Sequence, residues 1–295
     1  ADSGIRDCVS CLVGSEMCIR DSGKTTILKK LCGLVLALGI LFQPATAATL
    51  DFAIQPILGE EETRKSFKPL ADFISKVTGD EVKIHTARDF PEYWVNQKKN
   101  NPYEVMMDNA FFTDYRNEKE NWVSIAKVPG LVSYTLVVTA DNAVFDTSEL
   151  VGKTVASLMP PAPSCIFLGQ MFRNPLRQPS IVPTNSAEES LQKLLDGQVT
   201  AAIVPTPLVN LALQEGEDLV VVKTSVQIPH VAISVSPKVP EAKRDKLRNA
   251  LLEADKNDEG KAMLKKLGFS NFEPADPSGY AGLMQYLIDF SFANE

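Results

Sequence analysis

The sequence predicts an α/β protein of two lobes, each a mostly parallel sheet flanked by helices, with two crossover segments between them. Three observations carry that prediction. Strand-like and helix-like stretches alternate along the chain from Thr49 onward, the pattern of parallel strands joined by helical crossovers. The alternation completes one series and begins again at Thr154. After Pro240 the chain turns helical throughout, as a cover folding back over the first series would.

The first 47 residues stand apart. Residues 1–22 hold Cys8, Cys11, Met17 and Cys18 in a stretch without periodicity and are expected to be a leader foreign to the protein. Gly23-Lys24-Thr25 ends like a phosphate loop, but the first glycine of that motif would fall on Cys18 and no strand precedes it. Residues 23–47 read as a secretory signal peptide: Lys29-Lys30, the apolar run Leu31 to Phe42, then Ala45-Thr46-Ala47. The run is shorter than the roughly 20 residues that span a bilayer. Cleavage near Ala47 is expected to leave a chain that works outside the cytoplasm.

Thr49 to Gln55 predicts a strand with Leu50, Phe52 and Ile54 on one face. Phe67, Leu70, Ile74 and Val77 follow at helical spacing, and Gly79 ends that helix. Val82 to Thr86 is a strand, Pro91 to Lys99 a short helix and Tyr103 to Met107 a strand, followed by Asn109 and an aromatic-rich helix. Val123 to Val128 and Thr135 to Thr139 add two strands.

The second series reads as strand Thr154 to Leu158, helix Ser164 to Phe172 and strand Ser180 to Pro183. A helix opens at Ser186 with Glu189 in capping-box spacing and closes at Gly197. Strands Ala201 to Val204, Leu219 to Val222 and Val231 to Val235 follow, then helices Glu241 to Asp255, Glu259 to Leu267 and Tyr280 to Phe290. The expected division is residues 48–133 with 234–295 in lobe 1, 138–225 in lobe 2, and crossovers at 134–137 and 226–233. A cleft between such lobes, at the carboxyl ends of strands, is where a ligand is expected.

Composition narrows the function. The net charge is −7, and with five of 30 basic and four of 37 acidic residues in the first 47 positions, the remainder carries −8. No basic stripe is present, which argues against a nucleic-acid partner. Beyond position 47 only Cys165 remains of five cysteines, so no intrachain disulfide is expected there. Two histidines and one cysteine offer no metal cluster, and no cofactor is expected. Ala162-Pro163-Ser164-Cys165-Ile166 lacks the glycines of a nucleophile elbow, so no enzyme activity is expected.

Phe67 to Gly79 (FKPLADFISKVTG), Leu194 to Val204 (LLDGQVTAAIV) and Asp258 to Tyr280 (DEGKAMLKKLGFSNFEPADPSGY) resemble the phosphate, phosphite and phosphonate-binding periplasmic proteins of ABC transporters. The resemblance implies a type II periplasmic-binding-protein fold and a periplasmic monomer. It implies capture of a phosphonate- or phosphate-like oxyanion between the lobes and delivery to an ABC transporter permease in the inner membrane. The family grips its anion with hydroxyl residues at the start of a second-lobe helix. Pro160 to Cys165 occupies that place here, with Ser164 the one hydroxyl and Pro163 lacking a backbone donor. Pro205 and Thr206 replace a family acid, Phe90 matches an aromatic, Asn185 replaces a histidine, and Asp108-Asn109-Ala110-Phe111 replaces a Gly-Pro-Phe-like turn.

The candidate ligand residues are Phe90, Asp108, Asn109, Tyr134, Ser164, Cys165, Asn185, Thr206 and His230. Each has a structural alternative. Ser164 and Asn109 also fit helix caps, Cys165 a small buried hydrophobe, and His230 a structural crossover residue; His85 reads as core or edge. Asp108 in a cleft would favour an amine over a dianion. Phe90, Tyr93, Trp94, Phe111, Phe112 and Tyr134 could box a cationic group, although helical spacing suits core packing equally. Two further readings therefore stay open: a binder of an amine or quaternary ammonium ligand, and a sensing module partnering a membrane receptor such as a histidine kinase.

Overall fold

The computed structural model describes residues 48–292 apart from 100 and 175. The leader and signal peptide expected from the sequence lie outside the described residues.

The first sheet begins with β1 (Thr49–Ile54), β2 (Glu81–His85) and β3 (Val105–Asp108), which run parallel. α1 (Glu60–Thr78) links the first two. It forms because Phe67, Leu70, Phe73 and Ile74 recur on one buried face and Glu60, Glu61 and Glu62 complement the dipole in its first turn. Gly79 ends it at φ 78°, a left-handed position where its N–H reaches Ser75 O. α2 (Phe90–Lys98) and α3 (Ala110–Glu120) follow, capped by Asp89 and Asn109. β4 (Val123–Lys127) closes the first series.

The chain then crosses through β5 (Leu131–Val132) into β6 (Tyr134–Thr139). The second series is β7 (Thr154–Leu158), α4 (Pro163–Met171), β8 (Ser180–Thr184), α5 (Ala187–Leu195), β9 (Ala201–Pro205), α6 (Thr206–Gln214) and β10 (Leu219–Thr224). It returns through β11 (Ile228–Pro229) into β12 (Ala232–Val235). Residues 134–137, expected as a crossover, belong to β6. Ladder pairing of Tyr134–Val137 with β9 and of Thr135–Thr139 with β10 makes them strand rather than linker, and the passage between sheets lies upstream, around Gly130 (φ 79°) and β5.

The sheets share one topology. Their orders are β2-β1-β3-β12-β4 and β8-β7-β9-β6-β10. In each, a single strand runs against the others: β12 is antiparallel to β3 and β4, and β6 to β9 and β10. That strand is the one arriving from the opposite series. β5 and β11 pair antiparallel, Val132 opposite Ile228, so the two crossings form one ribbon. Glu273 ties its base, exchanging backbone bonds with Lys127 at 2.8 and 2.9 Å and pairing with the Lys127 ammonium.

α7 (Glu241–Leu252) and α8 (Asp258–Leu267) pack on α1. Within α8, a Cβ placed on Gly260 would lie 2.2 Å from Ala254 O. The last helix, α9 (Met284–Phe292), starts later than Tyr280 because Pro277–Gly279 forms a 3₁₀ turn first. α9 lies against α3 and also touches α4. Tyr286 stands between Phe111 and Phe167, at ring distances of 5.2 and 5.8 Å. Asp114 caps the start of α9 by accepting Met284 N–H at 2.8 Å. No helix among the described residues is long and apolar enough to cross a membrane.

Candidate ligand-binding cavity

A cavity of about 380 Å³ opens at the carboxyl ends of β1, β7 and β9 and beside the crossover ribbon. Five of the nine residues expected from the sequence line it: Phe90, Asn109, Tyr134, Ser164 and His230. Each is delivered by a strand end, a helix start or the ribbon, where backbone direction changes and side chains converge.

Ser164 is the second residue of α4, after Pro163 at the position where a helix needs no N–H donor. Ala162 offers no side-chain cap, so the N–H groups of Ser164 and Cys165 have no capping partner. The Ser164 hydroxyl lies 3.1 Å from Ser157 Oγ, which also donates to the Leu158 carbonyl at 3.0 Å. The first turn of α4 thus collects donors at the positive end of a helix.

Asn109 is 3% exposed and caps α3, its Oδ1 accepting Phe111 N–H at 3.0 Å. Its own N–H and Nδ2 both donate to Gln55 Oε1, each at 3.0 Å. The backbone N–H can only donate, which fixes the Gln55 amide with oxygen toward Asn109. Gln55 Nε2 has no hydrogen-bond partner among the described residues and belongs to the cavity wall.

His230 accepts Val231 N–H at its Nδ1, 2.8 Å away. That sets the proton on Nε2, leaving a second neutral donor. Burial, helped by the charge of Lys127, holds its pKa below the ordinary histidine value. Tyr134 packs on Phe167 at 5.8 Å, and burial pushes its hydroxyl well above the usual phenol range, so it stays protonated. Phe90 is 2% exposed and stacks on Phe112 at 6.2 Å.

Four expected residues lie off the wall. Asp108 is fully buried, but its carboxylate is occupied by Arg116, by Tyr93 Oη at 2.8 Å and by Arg116 Nη1 at 2.7 Å. α3 carries Arg116 back over the end of β3. Burial opposes the charge of Arg116, yet the adjacent Asp108 outweighs it and holds the guanidinium above its ordinary value. The expected anionic contact from Asp108 is therefore replaced by an internal ion pair. Cys165 is 2% exposed with its thiol pushed up to about 12 by burial; only its backbone N–H belongs to the α4 turn. Asn185 is exposed and donates to Glu189 Oε2 at 2.8 and 3.1 Å, so the cap uses Asn185 N–H where Ser186 N–H was expected. Thr206 binds Ser133 and Thr135 hydroxyls at 2.7 Å each, fastening the crossover, while Pro205 and Pro207 on either side face the cavity.

The wall also holds residues that the sequence reading passed over: Gln55, Glu188, and the apolar Leu58, Val132, Leu158 and Leu208. Gln55 stands at the carboxyl end of a predicted strand, and that position was its one signal. The aromatic supply is largely spent on itself, Trp94 on Tyr115 at 4.9 Å and Tyr93 on Phe112 at 5.5 Å. Among the described residues no group of three His, Cys, Asp or Glu is placed to hold a metal ion.

The sequence matches, over residues 52–280, the family model described as ABC transporter, phosphonate, periplasmic substrate-binding protein. The chain belongs to this phosphonate-binding family. Its members are periplasmic substrate-binding components of ABC transporters. Among solved structures, PhnD1 of Prochlorococcus marinus, in complex with methylphosphonate, is similar at 12% identity and TM-score 0.68, covering 82% of this chain and 98% of that one. A binding-protein component of an ABC phosphonate transporter from Pseudomonas aeruginosa is similar at 17% identity and TM-score 0.68, covering 84% and 88%. A Xanthomonas citri protein bound to ATP shows 13% identity and TM-score 0.66, covering 84% and 98%. These likenesses establish the type II periplasmic-binding fold. No curated protein matches the chain.

Proposed function

We propose that this member of the phosphonate-binding family captures a phosphonate-like oxyanion in the cavity beside the ribbon and hands it to an ABC transporter permease. The observation that carries the reading is the convergence of donors: the α4 turn with Ser164, Gln55 Nε2 and His230 Nε2–H on one cavity. Oxyanions need such donors, and a helix start supplies them with favourable dipole.

In this reading residues 48–133 with 234–295 form one lobe and 138–225 the other, and the β5–β11 ribbon is the hinge on which they close. A ligand touching both lobes favours closure by its differential affinity for the closed state. The protein acts as a monomer, without catalysis, after export and cleavage near Ala47. Arg116 neutralises Asp108 away from the cavity, which leaves Glu188 as the one carboxylate on its wall.

A thermal-shift screen of the full chain tests the proposal. Phosphonates should raise the melting temperature in a concentration-dependent way. A response to quaternary ammonium compounds alone would overturn it.

A further inference from the structure

Resting on that reading, we propose that the ligand is an oxyacid with an apolar body of several carbons, held by neutral donors at its head and by an aliphatic wall along its length. Neither Lys nor Arg lines the 380 Å³ cavity. Its donors, Gln55 Nε2, Ser164 Oγ, His230 Nε2 and Tyr134 Oη, are all uncharged. The remainder of the wall is largely apolar, with Leu58, Val132, Leu158, Leu208 and several prolines, and Glu188 is its one charged side chain. A compact dianion would have to leave water for this surface without a counter-charge, which is costly. A ligand whose head occupies the donors while its body covers the aliphatic wall gains from the surface that a compact anion leaves bare.

The space behind the donors points the same way. A second chamber of about 300 Å³ shares Gln55, Leu58 and His230 with the first. It runs on past Phe67 and Phe269 to Lys266 at the end of α8. Inorganic phosphate or methylphosphonate would fill only the donor end. An extended body beside Leu58 has apolar surface in both chambers, whose linings share Gln55, Leu58 and His230.

Calorimetric titration of the full chain with phosphate and with methyl-, butyl-, hexyl- and phenylphosphonate tests this directly. Affinity should rise about three- to fourfold per added methylene through butyl, as burial of each group implies, and Leu58→Asn should flatten that slope. Equal affinity for methyl- and hexylphosphonate would overturn the inference and leave the phosphonate-binding proposal standing. Binding of tetrabutylammonium with no phosphonate binding would overturn both.

Discussion

Gln55 Oε1 accepts both the backbone N–H and the side-chain amide of Asn109, at 3.0 Å each, and this leaves Nε2 as the free end of an amide on the cavity wall. A cap residue of α3 thereby orients a donor contributed by the end of β1. The cavity owes its polarity to such second-hand positioning more than to charged side chains.

Gln55→Glu keeps the acceptor for Asn109 but replaces the donor with a carboxylate. Losing one bond to a charged head group is worth ~1.5–3 kcal/mol. Phenylphosphonate affinity, measured by calorimetry, should therefore fall tenfold or more with little change in melting temperature. Asn109→Ala should also weaken binding by releasing Gln55. His85→Ala should not, since that ring pairs with Asp51 at 2.7 Å and lies off the cavity wall.

The Asp108–Arg116 pair is sealed from water, with both side chains fully buried. Arg116→Leu strands the carboxylate beside Tyr93 and should destabilise the fold by about 3–5 kcal/mol in urea denaturation. Replacing both by leucine removes the stranded charge and should cost less than the single change. An equal or larger cost for the double variant would mean that the network stabilises through its hydrogen bonds to Tyr93 and to Gln97, whose Oε1 accepts from Arg116 Nη1 at 3.0 Å.

Acidification should weaken the fold in part through His230. Burial lowers its folded pKa below the ordinary value of 6.5, so the unfolded chain binds a proton that the folded chain refuses. The stabilisation is complete above pH 6.5 and is lost as pH falls toward the lowered folded value. His230→Gln should show a smaller loss of melting temperature between pH 7 and 5 than the wild-type chain.

Cys165 should resist alkylation in the folded protein. Its thiol is buried and pushed up to about 12, so little thiolate exists at neutral pH. Mass spectrometry after iodoacetamide treatment should find Cys165 unmodified until denaturant is added.

Much of the fold is legible in the sequence because period and punctuation coincide there. The buried face of α1 and its Gly79 stop are both written locally, and so is the restart at β7. The exchange of β6 and β12 between sheets is not, since strand neighbours depend on contacts far apart in the chain. The site is legible to the extent that it sits at element ends: Ser164 and Asn109 announce themselves as residues at helix starts. Asp108 misleads because its partner, Arg116, comes from two turns along α3, and sequence spacing does not reveal which carboxylate is already neutralised. Gln55 is silent because its orientation follows from Asn109, remote in sequence. The Asp258 to Tyr280 motif, the most specific part of the resemblance, serves packing: Gly260 is there because Ala254 O leaves no room for a Cβ.

The most direct test is calorimetric titration of phenylphosphonate into the full chain and into its Ser164→Ala variant. If the first turn of α4 holds the head group, the variant should bind at least tenfold more weakly, with a less favourable enthalpy and an unchanged melting temperature without ligand. Equal affinity and enthalpy for the two proteins would contradict placement of the oxyanion at that turn.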